Sequence, residues 1–331
     1  MSRNAERRAH RVRALDALAE RVERATSVLH QLHARGGNWP MQVKIRATLF
    51  TAHPYSEPPI SRISAPRGVN LQIYLLALFE AQSRKRSGMV GPCPLPISGS
   101  EISWVDLIVS EAKENMQAKA PVTARQNRVR QVKSSIKRLA DEGLILRNVG
   151  DPDSPFPLML LHEYDAYGSE KRDYVVPESY EGPPTVVTLS SHFFTNGWVY
   201  LLTDAEIRIY LILKHLAGRF PDVHRTRGIY CTDRDRGQLY KISRDTYEAH
   251  LTLAKFGLIE KVENPLRHGD GKVVDFERVM RIQGVVAPHR FRVLPDFNLL
   301  ESPRGKVRRA LINYPPSYRQ MTSKGAQFNA L

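Results

Sequence analysis

One short segment carries most of the side chains that could bind a ligand through charge and hydrogen bonds. Residues 122–150 hold seven basic and two acidic residues. Plotted as a helix at about 100° per residue, the segment places its cationic and hydrogen-bonding side chains on one face: Asn127, Arg130, Lys133, Ser134, Lys137 and Arg138. Such a face attracts a polyanion and releases its counterions on binding. The chemistry predicted here is therefore the recognition of phosphates.

The elements that must position this face can be read from the same segment. Its other side is apolar at spacings of three and four, through Val129, Val132, Ile136 and Leu139, which predicts an amphipathic helix. Thr123 is the predicted N-cap, because its hydroxyl can accept a bond from a first-turn amide. Gly143 is the predicted stop, since glycine adopts the left-handed conformation at little cost. A short apolar strand follows at residues 144–146.

The same pattern occurs a second time. The motif Leu-Ala-x-x-Gly-Leu-Ile stands at residues 139–145 and again at residues 253–259, and apolar helices precede the two copies at residues 73–78 and 209–213. Two landmarks in the same order favour a duplicated unit over coincidence. The landmarks lie farther apart in the first copy, which predicts an additional loop at residues 84–102.

The second copy offers a mixed face. Ser243 is predicted to cap its third helix, which ends at Gly257, and Asp245 and Glu248 lie among the basic residues. The Asp-Gly pair at residues 270–271 predicts a tight hairpin turn at the tip of a wing. The candidate contact residues of this copy are Arg244, Thr252, Lys255, Arg267, His268 and Lys272.

An amphipathic helix with a basic outer face, a glycine stop and a strand, found twice, resembles the tandem winged-helix DNA-binding proteins. These include plasmid replication initiators and winged-helix transcriptional regulators. The resemblance covers residues 65–295 and is more specific for the fold than for one family. It implies a mainly α fold with small β-wings, and double-stranded DNA as the partner. Initiators of this kind bind repeated origin sequences and pass between dimer and monomer.

The expected organisation follows from these assignments. Residues 1–36 form a basic N-terminal helix, residues 37–180 the first winged-helix domain, residues 181–300 the second, and residues 301–331 a basic, poorly ordered tail. The formal net charge is +15, and residues 1–35, 122–150 and 301–331 supply 14 of these charges. This concentration favours a polyanion over the alternative of a generally basic surface.

The N-terminal helix, predicted over residues 5–34, has two interpretations. Its apolar residues follow the spacing of a coiled-coil seam: Leu15, Leu18, Val22, Ala25, Leu29 and Leu32. The seam could form a homodimer through residues 11–34, or it could pack along the helix's own first domain. The arginines that precede the seam could contact phosphates, or they could simply belong to a helix end that is exposed to solvent.

Motifs for bond-making chemistry are sparse. The sequence has no GxxxxGK, HExxH or GxSxG motif, so we expect neither a nucleotide P-loop nor a catalytic site. No CxxC spacing predicts a zinc site, and Cys93 and Cys231 are expected to be free thiols. We therefore expect a protein that is not an enzyme and needs no metal or cofactor. A nuclease or strand-transfer enzyme would need a metal or tyrosine site that the sequence does not reveal.

Composition and hydropathy allow a prediction of the cellular compartment. The 331 residues are 42% hydrophobic and 25% charged, as in soluble globular proteins. Apolar runs such as residues 73–79 are too short to span a bilayer. We expect a cytoplasmic protein associated with the nucleoid or a plasmid, with no membrane partner.

Two functions compete for this fold. The first is sequence-specific binding of double-stranded DNA, as a replication initiator or transcriptional regulator. The second is a protein-interaction subunit of a chromosome-organising or DNA-processing complex. The basic face of the first copy favours DNA, whereas the mixed face of the second leaves room for a protein partner. If both copies touch DNA, the first should supply affinity and the second discrimination.

Overall fold

The chain is mainly helical with small antiparallel sheets. The computed structural model describes residues 3–53, 56–64, 68–89, 93–99, 101–112, 122–147, 158–163, 166, 170–178, 181–182, 184–264, 273–284 and 288–314. The first half contains α1 (Arg3–Ala17), α2 (Ala19–Gly36), β1 (Gln42–Arg46), α3 (Pro59–Ile63), α4 (Asn70–Arg84), α5 (Trp104–Leu107), α6 (Ala124–Asp141), β2 (Ile145–Arg147) and β3 (Leu158–Leu160). The second half contains β4 (Val186–Ser190), α7 (Ser191–Thr195), α8 (Trp198–Leu201), α9 (Asp204–Arg219), α10 (Pro221–Thr226), α11 (Arg244–Tyr247), α12 (His250–Lys255), β5 (Ile259–Lys261), α13 (Phe276–Gln283), β6 (Phe291–Val293) and α14 (Pro303–Ile312).

Helices α6 and α12 end in the same backbone geometry. Gly143 and Gly257 both have a φ of 69°, a left-handed conformation that glycine adopts without a clash. In each case the amide of the following leucine donates to the carbonyl of the leucine four residues before the glycine, over 3.0 and 3.1 Å. This is the hydrogen bonding of a Schellman ending. The repeated sequence motif thus folds into a repeated structure.

Each glycine leads into a small antiparallel sheet. β2 pairs with β3, and β5 pairs with β6. An isolated bridge extends each sheet from the other side, between Cys93 and Leu158 in one and between Ile229 and Phe291 in the other. Both parts of the chain therefore contain a long helix, a bridge, a short helical turn, a third helix and two paired strands in this order, and the second part adds α10 after the long helix and α13 between the strands. We call residues 70–161 the first repeat and residues 204–294 the second repeat.

A separate sheet joins the segments that precede the two repeats. β1 pairs antiparallel with β4, with Lys44 opposite Thr188 at the centre. The apolar side chains of both strands are buried: Val43, Ile45, Val186, Val187 and Leu189. Burial of this apolar surface and the strand hydrogen bonds stabilise the join.

A buried charge cluster ties the end of the first repeat to β1. The Arg46 guanidinium lies 3.0 Å from the Glu163 carboxylate and 2.8 Å from that of Glu181. Burial raises the pKa of Glu163, while the charge of Arg46 acts against that rise. A buried charge is tolerated only when it is paired and hydrogen-bonded, so removing Arg46 would leave Glu163 as an uncompensated charge in the core.

The N-terminal helix differs from the prediction in two ways. It is divided at Leu18 into α1 and α2, and its apolar seam packs inside its own chain. Ala25 and Leu29 are completely buried, because α2 lies against α4, α5 and α7. The structure thus shows the seam packed within the chain, as in the second interpretation of residues 11–34, and this packing extends beyond the predicted first domain to α7. The seam is not available to a coiled-coil partner while α2 is packed.

The C-terminal segment is also more ordered than expected. Residues 303–312 form α14 instead of a loose tail, with Val307 and Leu311 buried. Arg308 on α14 pairs with Asp16 on α1 over 2.8 Å. Part of the basic charge of residues 301–331 is thereby neutralised within the chain, and residues 315–331 lie outside the described part.

The sequence predicts the second helix of the first repeat over residues 104–118, and the helix observed there is much shorter. α5 ends at Leu107, and Ile108 and Val109 continue in a buried, non-helical segment. The Arg21 side chain donates to the carbonyls of Val105 and Ile108. A distant side chain thus satisfies groups that another helical turn would have used. Residues 113–118 of the prediction lie outside the described residues.

The second repeat departs from the prediction in its helices and its wing. The sequence predicts a short second helix over residues 232–241, and this stretch contains a π-helical turn, Asp235–Leu239. The third helix is broken between α11 and α12, where Ala249 and Leu251 donate to carbonyls only three residues back. Helix α13 lies between β5 and β6, and the Asp-Gly pair at residues 270–271 lies outside the described residues.

His215 on α9 gives the fold a testable dependence on pH. Its Nδ1 lies 2.8 Å from the Tyr240 hydroxyl, and its ring packs edge-on against Phe50. Burial lowers the pKa of His215 to about 4, whereas the unfolded chain has a histidine pKa of about 6.5. The unfolded state therefore binds a proton between these values and the folded state does not. The contribution of neutral His215 is complete above pH ~6.5 and falls by up to about 3 kcal/mol as the pH drops to ~4.

Urea unfolding of the wild type and of His215→Gln over this pH range measures the effect. The stability advantage of the wild type should shrink as the pH falls, because glutamine does not titrate. His30→Gln, at an exposed position, serves as the control. A wild-type advantage that is the same at both ends of the range would contradict a neutral buried His215.

Candidate nucleic-acid interface

Helix α6 is fixed at both ends by local hydrogen bonds. The Thr123 hydroxyl accepts from the Gln126 amide over 3.2 Å, and the Gln126 side chain accepts from the Thr123 amide over 2.8 Å. These reciprocal bonds form a capping box. Gly143 ends the helical segment in the left-handed conformation described above. The first and last turns therefore hold the intervening side chains in a defined register.

The inner side of α6 is apolar and packed. Val132, Ile136 and Leu139 have no exposed surface, and α6 lies against α4 and α5. Val129, which belongs to the same predicted stripe, is half-buried and packs against this core. The packing fixes the rotation of the helix about its axis, so that its other side faces outward.

The outward side carries the predicted basic face. Five of the six residues predicted for contact are exposed and one, Asn127, is half-buried; the exposed ones are Arg130, Lys133, Ser134, Lys137 and Arg138. Within the described part of the chain, the structure gives no hydrogen bond or salt bridge to Arg130, Lys133 or Lys137. Three cations without a local partner make a strip on which phosphates can be neutralised.

Arg138 differs from the other basic residues of α6. It pairs with Glu142 over 2.8 Å and donates to the Arg62 carbonyl over 2.9 Å. Glu142 also pairs with Arg62 over 2.8 Å. Arg138 therefore holds the C-terminal end of α6 against α3, and its charge is already partly compensated.

One further exposed basic residue follows α6 in the chain and was not among the predicted contact residues. Arg147 is the last residue of β2 and is exposed, at the point where the strand leads from the helix into the β2–β3 connection. Its position directly after the apolar residues 144–146 was the available signal. The connection itself, residues 148–157, lies outside the described residues.

The described candidates in the second repeat lie on two short helices, α11 and α12. Arg244 lies on α11 and pairs with Glu248 over 3.4 Å, whereas Lys255 lies exposed on α12 beyond the break. Thr252 is half-buried, and its hydroxyl donates to the Ala249 carbonyl over 2.9 Å. The helix predicted to carry these residues is thus divided into two short helices, and Thr252 is partly covered. Arg267, His268 and Lys272 lie outside the described residues.

Comparisons with known protein families, with curated protein sequences and with solved structures gave no match. Among the described residues, no helix combines the length and the apolar character needed to cross a bilayer. Cys93 and Cys231 are buried free thiols. Inference about function therefore depends on the geometry and charge of this chain alone.

Proposed function

We propose that the chain is a sequence-specific double-stranded DNA-binding protein built from two winged-helix domains, acting as a replication initiator or transcriptional regulator. The observation that carries the proposal is the outward strip of Arg130, Lys133 and Lys137 on α6. In a winged-helix domain the third helix is the one that enters the major groove. That helix is the element that here carries the basic strip.

The order of elements supports the winged-helix assignment. Each repeat has a first helix, a bridge segment, a short helical turn, a third helix and a two-stranded sheet. In such a domain the sheet forms the wing beside the recognition helix. The matching glycine endings and sheet pairings argue that one such unit was duplicated.

The dimensions and charge of α6 suit duplex DNA. The helix has 18 residues and is thus about 27 Å long, and the major groove of B-DNA admits an α-helix. Lysine and arginine side chains along the strip can neutralise phosphates or bond to guanine edges. Ser134 and the half-buried Asn127 add hydrogen-bonding groups on the same side.

The second repeat differs from the first in its charged residues, and this favours a different role in binding. Its third helix is broken and its Arg244 is paired with Glu248, so it has less free positive charge to offer to phosphates. A mixed surface can still read bases, because a carboxylate accepts from cytosine. It can equally dock a protein partner, and this second candidate function is favoured by the same two observations.

Selection of bound fragments from genomic and plasmid DNA by the full chain tests the proposal. We expect a recurring site to be enriched, and affinity for it to fall with salt with a slope of about −0.9 for each neutralised phosphate. The same affinity for every fragment at low salt, with no enrichment, would contradict sequence-specific binding. Absence of any salt dependence would contradict the basic strip as the contact.

Substitution in the second repeat separates its two candidate functions. Changing Arg244 and Lys255 together to alanine in the full chain should reduce preference for the selected site over a random duplex by about tenfold, since one lost base contact costs about 1–3 kcal/mol. Arg130→Ala is the matched comparison and should weaken binding to both duplexes. Competition binding measures both ratios. If the double change left the preference unaltered, protein docking would become the better explanation of the second repeat.

A further inference from the structure

A basic cavity lies behind α6, on the side away from the outward strip. It has a volume of about 510 Å³ and is bounded by α1, α2, the segment after α5, and α6. Four arginines and two glutamates are among its lining residues: Arg13, Arg21, Arg24, Arg128, Glu20 and Glu111. Cavities of roughly 300–1,000 Å³ are the size that small ligands occupy in proteins.

The position of Arg128 on α6 is unusual for an arginine. Arg128 stands one turn before the buried Val132 and, at about 100° per residue, about 160° around the helix from Arg130. It therefore faces the body of the protein. Its Nε is buried and has no hydrogen-bond partner among the described residues. A buried donor without a partner is costly, which points to a partner that completes the site.

The charges around Arg128 are only partly compensated. Glu20 is paired with Arg24 over 2.5 Å, and Arg21 uses its donors on the carbonyls of the α5 segment. The pKa of Arg128 is lowered mainly by burial and, to a smaller extent, by the nearby charge of Arg125. The pKa of Arg21 is lowered mainly by burial and then by the charge of Arg128. Asp106 acts against both shifts, but its carboxylate is also engaged by Arg125 at 3.5 Å.

We propose that this cavity binds a small phosphate-bearing ligand, whose phosphoryl oxygens accept hydrogen bonds from Arg128 and pair with Arg13. Guanidinium groups suit phosphate because their planar donors match its oxygens. An anion here would satisfy the buried Arg128 donor and relieve repulsion between the arginines. It would also join α1 and α2 to the back of α6, so that binding could change the position of the outward strip.

Two sources could supply the phosphate group, a free small molecule or the backbone of a bound duplex. Arg128 lies about 160° around α6 from Arg130, which favours the free molecule. The proposal does not depend on DNA binding, since the phosphate site can be tested without DNA. Inorganic phosphate and pyrophosphate are the appropriate probes, because they present the shared chemistry without a base.

Calorimetric titration of the full chain at constant ionic strength tests the site. Pyrophosphate should bind the wild type saturably, and Arg128→Gln and Arg13→Gln should each weaken binding by about tenfold or more, as expected for loss of a charge-assisted hydrogen bond. Arg130→Gln is the matched control, because it removes the same charge from the same helix outside the cavity. Its affinity should stay within about twofold of the wild type.

Two results would overturn the phosphate site. One is the absence of saturable binding by the wild type together with unchanged duplex binding by Arg128→Gln. The other is an equal loss of pyrophosphate binding in Arg130→Gln, which would indicate general attraction by net charge. Arg13 is exposed, so Arg13→Gln should fold normally and tests the site even if Arg128→Gln does not fold. The melting temperature of each variant shows whether it is folded.

A duplex-binding measurement distinguishes the two sources. If the free ligand is correct, Arg128→Gln should leave duplex affinity in phosphate-free buffer unchanged. If pyrophosphate does not bind but Arg128→Gln weakens duplex binding as much as Arg130→Gln does, the cavity takes a backbone phosphate. That result would support the phosphate site and overturn the free molecule as its occupant.

Discussion

Replacing Arg130, Lys133 and Lys137 together by glutamine should lower affinity for duplex DNA by on the order of 100-fold, if each contact contributes about 1 kcal/mol. The three side chains lie on the outward side of α6 without a partner in the described structure, so their removal should leave folding intact. The log–log salt slope should become shallower by about 2.7, since each neutralised phosphate contributes about 0.9. Fluorescence anisotropy at several salt concentrations measures both quantities.

The control must remove the same charge from elsewhere. Arg86, Arg227 and Arg309 are exposed basic residues that do not lie on α6. Changing these three to glutamine tests whether net charge alone accounts for binding. If this control lost as much affinity and as much salt slope as the α6 variant, the outward strip would have no special role in binding.

Leu29→Ala should destabilise the folded chain by about 2–5 kcal/mol, the usual cost of truncating a fully buried leucine. Leu29 has no exposed surface and lies on α2, the helix that packs against α4, α5 and α7. Such a loss is a large part of the typical stability of a protein. His30→Ala, one residue further along and exposed, should have an effect within about 0.5 kcal/mol.

Denaturant unfolding and light scattering together decide between the two roles of the α2 seam. Intramolecular packing predicts lower stability for Leu29→Ala without a change in molecular mass. A coiled-coil interface predicts the opposite, a dimer that becomes a monomer with little loss of intrinsic stability. The second result would show that α2 leaves the body of the protein and that its seam joins two chains.

The packing of α2 also determines which experiments can measure the role of each repeat in DNA binding. α2 contacts α4 of the first repeat and α7 beside the second, and β1 pairs with β4. Cutting the chain between the repeats would separate these partners and expose apolar surface. Substitutions in the full chain are therefore better tests of each repeat than isolated fragments. The expectation that the first repeat supplies affinity and the second discrimination can be tested in this form.

The sequence by itself determined the features that depend on neighbours a few residues apart. The periodicity of residues 129–139 set the buried and exposed sides of α6, because positions three and four apart share one face of a helix. Thr123 and Gly143 set its ends through hydrogen bonds within one or two turns. The second Leu-Ala-x-x-Gly-Leu-Ile motif predicted a second ending of the same kind, which the structure has at Gly257.

Only the tertiary structure decided the features that depend on distant partners. The apolar spacing of the α2 seam is the same whether the seam packs against another chain or within its own chain. In the structure it packs within its own chain, against α4, α5 and α7. Arg21 ended α5 early by bonding to carbonyls more than 80 residues away in sequence. Helical periodicity places Arg128 on the inner side of α6, but the cavity exists because α1, α2 and the α5 segment meet there. Such partners leave no local pattern, because they lie far apart in the sequence and meet only in the folded chain.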